Sequence, residues 1–533
     1  MLKTFPFVAF LSCILSLASD ADLLLGEETE TSAKHNILMI AVDDLKTIGS
    51  LYKDDPGNFL NRVYPDPALR QRVANRMTPN LNRLAACGVT FTNAHCAAPA
   101  CNPSRAALMT GIRPSDSGLT TNAGGRFFRD YQYNGKATLS NAITLPQWLK
   151  EKGWYTATTG KIFHNGGSYR HADGERSWTQ WTNVPGNAGS KARDAYSPKS
   201  LDWGREGDSN STFHELNDYR KADFIATLLE EGRSLDGETE FILPENQPFF
   251  IACGIFRPHL PFYATQDLLD LFPTDEMSIT QELLEEFTED ANDLPQAAFK
   301  WCGLSLNEKG HPVIGKDRFV DILNHGRRIT NSDGHLVGWK RMLQHYFASC
   351  AIADRCVGRL LDGLQSSQWN SNTTIILWSD HGYHLGEKLH ETKFTLWDDS
   401  TNVNLLIADP QQPSTRGEVC DSPVSLLDLF PTVCNQLQVG LPNQQILGND
   451  LSPLLANPKA HWPHPVITTY ESVKCNMIMH GGYKLIRYDE AEPSYELYDL
   501  KKDPQEFENL AGLAEYKDQV IRLLEMLEDE LAR

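Results

Sequence analysis

The stretch Asn36-Ile37-Leu38-Met39-Ile40-Ala41-Val42-Asp43-Asp44 is a nearly unbroken apolar run that stops at two acids. A strand covered on one face alternates apolar and polar residues, whereas one covered on both faces reads as a continuous apolar run. Similar runs recur at Tyr155 to Thr159, Phe249 to Ile255 and Thr374 to Trp378. Helical spacing lies between them, at Asn80 to Ala86, Leu145 to Lys152 and His345 to Leu364. Strands alternating with helices predict an α/β fold around a large, mostly parallel central sheet flanked by helices. Residues 265–335 are acidic and irregular and read as an insertion or an excursion over one face. Beyond Pro410 to Arg416, rich in Pro, Gln and Ser, the runs Tyr483 to Tyr488 and Tyr495 to Leu500 read as a strand pair, and Glu515 to Leu531 has helical spacing. The expected organisation is a first domain over 34–420 and a smaller α+β domain over 421–533.

The chain has 533 residues, 41% of them hydrophobic, enough for more than one core. Its formal net charge of -20, with no long Lys/Arg block, argues against nucleic acid as a partner. A locally positive site for a small anion remains compatible with that balance. Residues 1–20, with Lys3 ahead of the apolar stretch Phe5 to Leu17, read as a signal peptide too short to span a bilayer. Export (secreted, periplasmic or lysosome-like) is the expectation. Phe10-Leu11-Ser12-Cys13 faintly resembles a lipoprotein signal, so lipid anchoring is the alternative. No later segment reads as transmembrane. Eleven cysteines in so long a chain are no disulfide framework; without Cys13 and Cys101 nine remain, so at least one is free. Asn210-Ser211-Thr212 and Asn372-Thr373-Thr374 match the glycosylation acceptor pattern.

Each buried run ends in reactive residues: Asp43-Asp44, then Lys161 and His164, then Arg257-Pro258-His259, then Asp380-His381-Gly382. Ligands of open α/β sheets bind in the crevice beyond the carboxyl ends of the strands, so four such clusters meet at one site. Singly, each has a bland reading as a loop, a cap, a structural histidine or a solvated lysine. Asp43, Asp44 and Asp380 supply hard oxygens that suit Ca²⁺ or Mg²⁺ rather than zinc. Pro103 to Gly111 reads as a short helix with Pro in its first turn and Gly at its end, which puts Cys101 at a helix N-terminus, where free N–H groups favour an anion. Arg105, Lys161, His164, His259 and Lys393 add cationic lining, and sulfate or phosphate is the evident guest.

Cys101-Asn102-Pro103-Ser104-Arg105, followed by Leu108, Thr110 and Gly111, resembles the type I sulfatase signature C-x-P-S-R-x-x-x-L-x-T-G. Thr78-Pro79-Asn80-Leu81-Asn82-Arg83-Leu84 resembles a second stretch of that family. Gly160 to His164, Arg257 to Phe262, and Ser379 to Glu387 with Lys393 are most similar to its iduronate-2-sulfatase branch. The likeness spans roughly residues 36–410, and Tyr495 to Leu500 is also typical of the family. It implies an alkaline-phosphatase-like fold and oxidation of Cys101 to formylglycine by a separate maturation enzyme. It also implies Ca²⁺ held by Asp43, Asp44, Asp380, His381 and the matured Cys101, with His381 an unusual donor for so hard a cation. In the implied reaction a formylglycine hydrate hydroxyl attacks sulfur, His259, with Lys393, protonates the leaving alcohol, and His164 acts as base for sulfate release. Arg105, Lys161 and the metal would stabilise developing oxygen charge. The implied substrate is a sulfate ester on a polysaccharide or glycosaminoglycan-like sugar. A phosphodiesterase or phosphonate monoester hydrolase of the same superfamily, and a non-catalytic binder of sulfated glycans, are the competing readings. Gly124-Gly125-Arg126 and Arg170-His171 are candidate substrate contacts, equally readable as surface turns. One departure stands out: the branch carries T-x-V-P-L where this chain has Thr401-Asn402-Val403-Asn404-Leu405, and loss of the Pro is expected to relax a turn beside the site.

Overall fold

The structure is a computed structural model; its described residues are 35–136, 138–164, 173–182, 193–196, 203–205, 211–237, 239–302, 305–306, 312–313, 319, 321–324 and 334–533. The signal reading over residues 1–20, the acceptor Asn210 and the pair Arg170-His171 lie outside them.

Nine strands form the main sheet: β1 (Asn36–Val42), β2 (Val89–His95), β3 (Tyr155–Gly160), β4 (Gln180–Thr182), β5 (Phe249–Ile255), β6 (Thr373–Ser379), β7 (Asn402–Ala408), β8 (Val419–Cys420) and β9 (Val424–Ser425). Their order is β8-β2-β7-β6-β1-β5-β3-β4, with β9 also paired to β2. β1 lies parallel to both neighbours, with Ile40 opposite Leu377 and Cys253. β7 runs antiparallel to β6 and β2, so the sheet is mixed but mostly parallel, as expected. The apolar runs appear where they were expected because β1 is covered on both faces. Leu38, Ile40 and Val42 join one core and Ile37, Met39 and Ala41 the other.

Among the helices that pack on the sheets or border a cavity are α1 (Phe59–Val63), α2 (Cys101–Thr110), α3 (Leu145–Glu151), α4 (Asn217–Glu231), α5 (Gln281–Asp290), α6 (His335–Gln365), α7 (Leu429–Gln436) and α8 (Lys517–Ala532). α4 and α6 pack on the first face, and α2, α3 and α7 on the second. α6 begins ten residues before the expected start. The acidic stretch after residue 265 is more than an excursion, since Leu283, Leu284 and Phe287 of α5 enter the core and Phe287 packs 6.1 Å from Trp339 and 6.3 Å from Phe59.

A second sheet follows: β10 (Val466–Thr469), β11 (Asn476–His480), β12 (Tyr483–Tyr488) and β13 (Ser494–Asp499), antiparallel throughout. One face packs Ile467, Ile478, Leu485 and Leu497 against Leu523 and Leu527 of α8. From the other face Val466, Met477, Met479 and Ile486 continue the first core. Residues 34–533 accordingly behave as one compact unit. No described helix is long and apolar enough to cross a membrane.

Candidate active site

β1 and β6 end side by side, Val42 opposite Ser379, and so release Asp43-Asp44 and Asp380-His381 at the same edge of the sheet. The Asp44 N–H donates to Asp380 Oδ1 at 3.1 Å. β3 and β5 end just as closely. Lys161 N–H donates to Gly254 O at 3.1 Å, and a Cβ on Gly254 would lie 2.3 Å from Lys161 N. Only glycine permits this approach, which brings Lys161 and His164 beside the loop carrying Arg257 and His259. The fourth contributor is α2, which starts at Cys101. Its N-cap, Ala100, offers no side-chain acceptor, and Gly111 ends the helix at φ 71 as expected.

At the centre, donor atoms of Asp43, Asp44, Cys101, Asp380 and His381 all lie within 4.8 Å of one another, and every one of these residues is buried. Cys101 Sγ is 3.3 Å from His381 Nε2 and 3.9 Å from Asp44 Oδ1. Lys393 Nζ reaches Asp44 Oδ1 at 2.6 Å and Cys101 Sγ at 3.3 Å. Lys161 Nζ pairs with Asp43 Oδ2. Arg105 lies beneath this group. Its Nε donates to Asp380 Oδ2 at 2.8 Å, its Nη2 to Asp43 Oδ1 at 2.9 Å, and its Nη1 to Ile162 O at 3.1 Å. The sequence placed Arg105 in the lining; the structure places its guanidinium on two carboxylates, where it orients them. Ser104, a signature position to which the sequence assigned no role, donates to Asp380 O at 2.5 Å.

The charges perturb one another as such crowding requires. Burial opposes the ionised form of Cys101, but Lys161, Lys393 and His381 overcome it and hold the thiol well below its usual range. Burial raises Asp380 to about 7 against the pull of Arg105 and His381. Asp43 is held low despite its burial, chiefly by Lys161, His259 and Arg105. Burial lowers His164, whose Nδ1 has no hydrogen-bond partner. His259 Nδ1 bonds Leu260 O at 2.7 Å, so Nε2 is the nitrogen left for other work. Asp44 Oδ2 is buried and without a hydrogen bond, so three packed carboxylates leave an oxygen with no partner in the protein, and the cluster could hold a cation. Cys87, Cys96 and Cys101 are all free thiols, so Cys101 bonds neither of the other two.

Residues 35–439 match the family described as Sulfatase, three quarters of the chain. The chain belongs to the sulfatase family. Residues 386–533 also match the C-terminal region described as that of N-sulphoglucosamine sulphohydrolase. A sulfatase of Formosa agariphila is 31% identical over 99% of this chain and 92% of its own. Human iduronate 2-sulfatase is 27% identical over 80% of this chain and 70% of its own, in line with the branch the motifs resemble. Among solved structures, phosphonate monoester hydrolase of Agrobacterium radiobacter shares the fold with a TM-score of 0.68 at 18% identity, covering 94% of this chain and 96% of its own.

The departure at Asn404 of this sulfatase does not relax a turn. The position lies within β7, at the register shift between Val403 and Leu405, and is fully buried. Its N–H donates to Ser379 Oγ at 3.1 Å, and its Nδ2 to Leu45 O at 3.0 Å and Lys46 O at 3.1 Å. The amide ties β7 to the segment that carries Asp44. Of the suggested substrate contacts, Arg126 lies on an exposed loop whose backbone carbonyl accepts from Asn102 Nδ2 at 2.8 Å, one residue from Cys101.

Proposed function

We propose that this sulfatase is an exported enzyme that hydrolyses sulfate esters on a polysaccharide or glycosaminoglycan-like sugar, with Cys101 matured to formylglycine by a partner enzyme and Ca²⁺ held by Asp43, Asp44, Asp380 and His381. The observation that carries this reading is the five-residue donor cluster with Lys393 against Cys101 Sγ, which stands where the oxygens of the matured side chain would lie. The donors fit a hard cation by charge, and Asp44 Oδ2 is left for it. When present, the cation and the aldehyde hydrate supply charge neutralisation and an oxygen nucleophile that a thiol does not.

The chain's own residues then divide the remaining work. Lys161 and Lys393, each paired to a carboxylate beside Cys101, hold the sulfate oxygens and offset charge that develops on them. His259, with Nδ1 engaged by Leu260 O, presents Nε2 to hand a proton to the leaving alcohol, Lys393 assisting. His164, kept neutral by burial, takes up a proton beside position 101. Arg105 orients Asp43 and Asp380. The sugar preference follows from the human relative's name and the C-terminal match.

Two measurements test this reading. The peptide containing Cys101, taken from a host with the maturation enzyme, should have lost sulfur and gained oxygen. The same preparation should desulfate members of a sulfated-polysaccharide panel and cleave an aryl sulfate faster than an aryl phosphodiester. A retained thiol in active enzyme, or a large preference for the diester, overturns it.

A further inference from the structure

A second cavity, of about 60 Å³ and partly open to solvent, lies among the loop after β1, α1, α5, the segment 387–402 and the loop 504–507; none of the residues of the candidate active site lines it. Six carboxylates face it: Asp55, Asp290, Glu387, Asp398, Asp399 and Glu506. Three lysines are threaded between them. Lys46 pairs with Asp399 and Glu387, Lys484 with Asp398 and Glu506, and Lys388 with Asp290 at 2.8 Å. Arg62, the other cation of the wall, is drawn to Glu286. Negative charge is therefore left over.

Buried polar atoms on the wall are also left over. Tyr52, 4% exposed, has no partner for its hydroxyl, and Asp290, 8% exposed, none for Oδ2. Unpaired buried polar atoms are costly and rare, and two on one cavity wall point to a guest that pairs with them. Burial raises Asp290 to about 6, against Lys388, and raises Glu506 and Glu387 to about 7, against Lys484 and Lys46. A guest bringing positive charge relieves that strain.

A divalent metal is not the guest this wall suits. Besides the active-site cluster, the described residues bring three metal-type donors together only at His384, Glu387 and Asp399, and Lys46 Nζ already reaches both of those carboxylates. The remaining acceptors are spread over the wall, with Phe59, Phe287 and Phe507 between them. Dispersed acceptors and aromatic faces match ammonium groups carried on an organic frame. We propose that this cavity is a binding site for a small organic amine, separate from the site of sulfate-ester hydrolysis. Linear polyamines and amino sugars share that chemistry.

The test is calorimetric titration of the full chain, at low salt and neutral pH, with putrescine, spermidine, glucosamine and CaCl₂ in turn. At least one amine should bind with a submillimolar Kd; a linear amine alone or glucosamine alone tells the two sources apart. Asp290→Asn should weaken it at least tenfold. Tyr52→Phe removes an atom with no partner in the protein, so it should keep the melting temperature while weakening the amine about three- to tenfold. Hydrolysis of a small aryl sulfate should be unaffected in Tyr52→Phe. No amine binding up to 10 mM (roughly −3 kcal/mol or weaker), binding of calcium alone at this site, or amine binding unchanged in both variants overturns the proposal.

Discussion

Tyr346 Oη donates to the carbonyl of Asp44 at 2.8 Å and accepts the Lys46 N–H at 3.0 Å, so a single hydroxyl brackets the turn that carries one of the proposed metal ligands. Asp44 sits at φ 59, which most side chains avoid and Asp tolerates only when its surroundings hold it. Asn404 supplies the rest of the hold through Leu45 O and Lys46 O. Tyr346→Phe leaves a buried carbonyl and N–H unpaired, a cost of about 1–3 kcal/mol. We expect a lower melting temperature, a several-fold weaker calcium half-saturation by thermal shift, and kcat on an aryl sulfate reduced with little change in KM. A lower melting temperature with calcium half-saturation unchanged would make Tyr346 a packing residue only. None of this hold was legible in the sequence. A tyrosine within an apolar helical pattern reads as core, a lone lysine such as Lys46 reads as solvated, and the Asn404 position was legible only as a departure whose sign was misjudged. The proposed ligands Asp43, Asp44, Asp380 and His381 were legible because they follow buried strands directly.

Among the elements, the legible strands were those covered on both faces. β1 and β5 appear with the expected ends, and β3 and β6 differ by a residue at their termini. β2 went unseen because its sequence, Val-Thr-Phe-Thr-Asn-Ala-His, carries polar groups that pair within the strand or with a neighbour: Asn93 Oδ1 meets His95 Nε2 at 2.7 Å, and Thr92 Oγ1 donates to Cys420 O at 3.4 Å. The start of α6 went unseen because its first turns mix polar and apolar residues. A close approach between elements lies where β3 and β5 end, and there the fold directly sets the site. Gly254→Ala places a methyl group 2.3 Å from the backbone of Lys161, so the two strand ends must part. Overpacking of this kind costs about 1–3 kcal/mol and more where backbone is struck. We expect a melting temperature lower by several degrees and a kcat on aryl sulfate reduced well beyond what the lost stability explains, because Lys161 and His164 move with β3. A variant that keeps both would show that the strand ends have slack.

Over the whole molecule, two opposed sets of buried groups fix how stability depends on pH. Burial raises Asp354 to about 6 and Asp428 to about 7, although backbone N–H groups of Asn80 and Leu81, and of Asn449 and Ser425, favour their charged forms. Both lie outside the proposed metal ligands. Their folded values exceed the ordinary 3.8, so the stability they contribute is complete below that value and is lost as pH rises through 6 to 7. Burial lowers His95 and His345 to about 4, with Asp398 opposing it at His95 and the Phe262 backbone at His345. Their contribution is complete above the ordinary 6.5 and is lost as pH falls through 4. The two windows overlap between about pH 4 and 6.5, where the sets offset one another, and the net charge of -20 at pH 7 adds self-repulsion on the alkaline side. With chelator present, so that metal binding does not contribute, the melting temperature is expected to stay nearly level between about pH 4.5 and 6.5 and to fall toward pH 8 as Asp428 ionises and negative charge accumulates. A melting temperature that climbs steadily from pH 5 to pH 8 would mean that the buried carboxyls are ionised in the fold at little cost, and that the histidines alone set the profile.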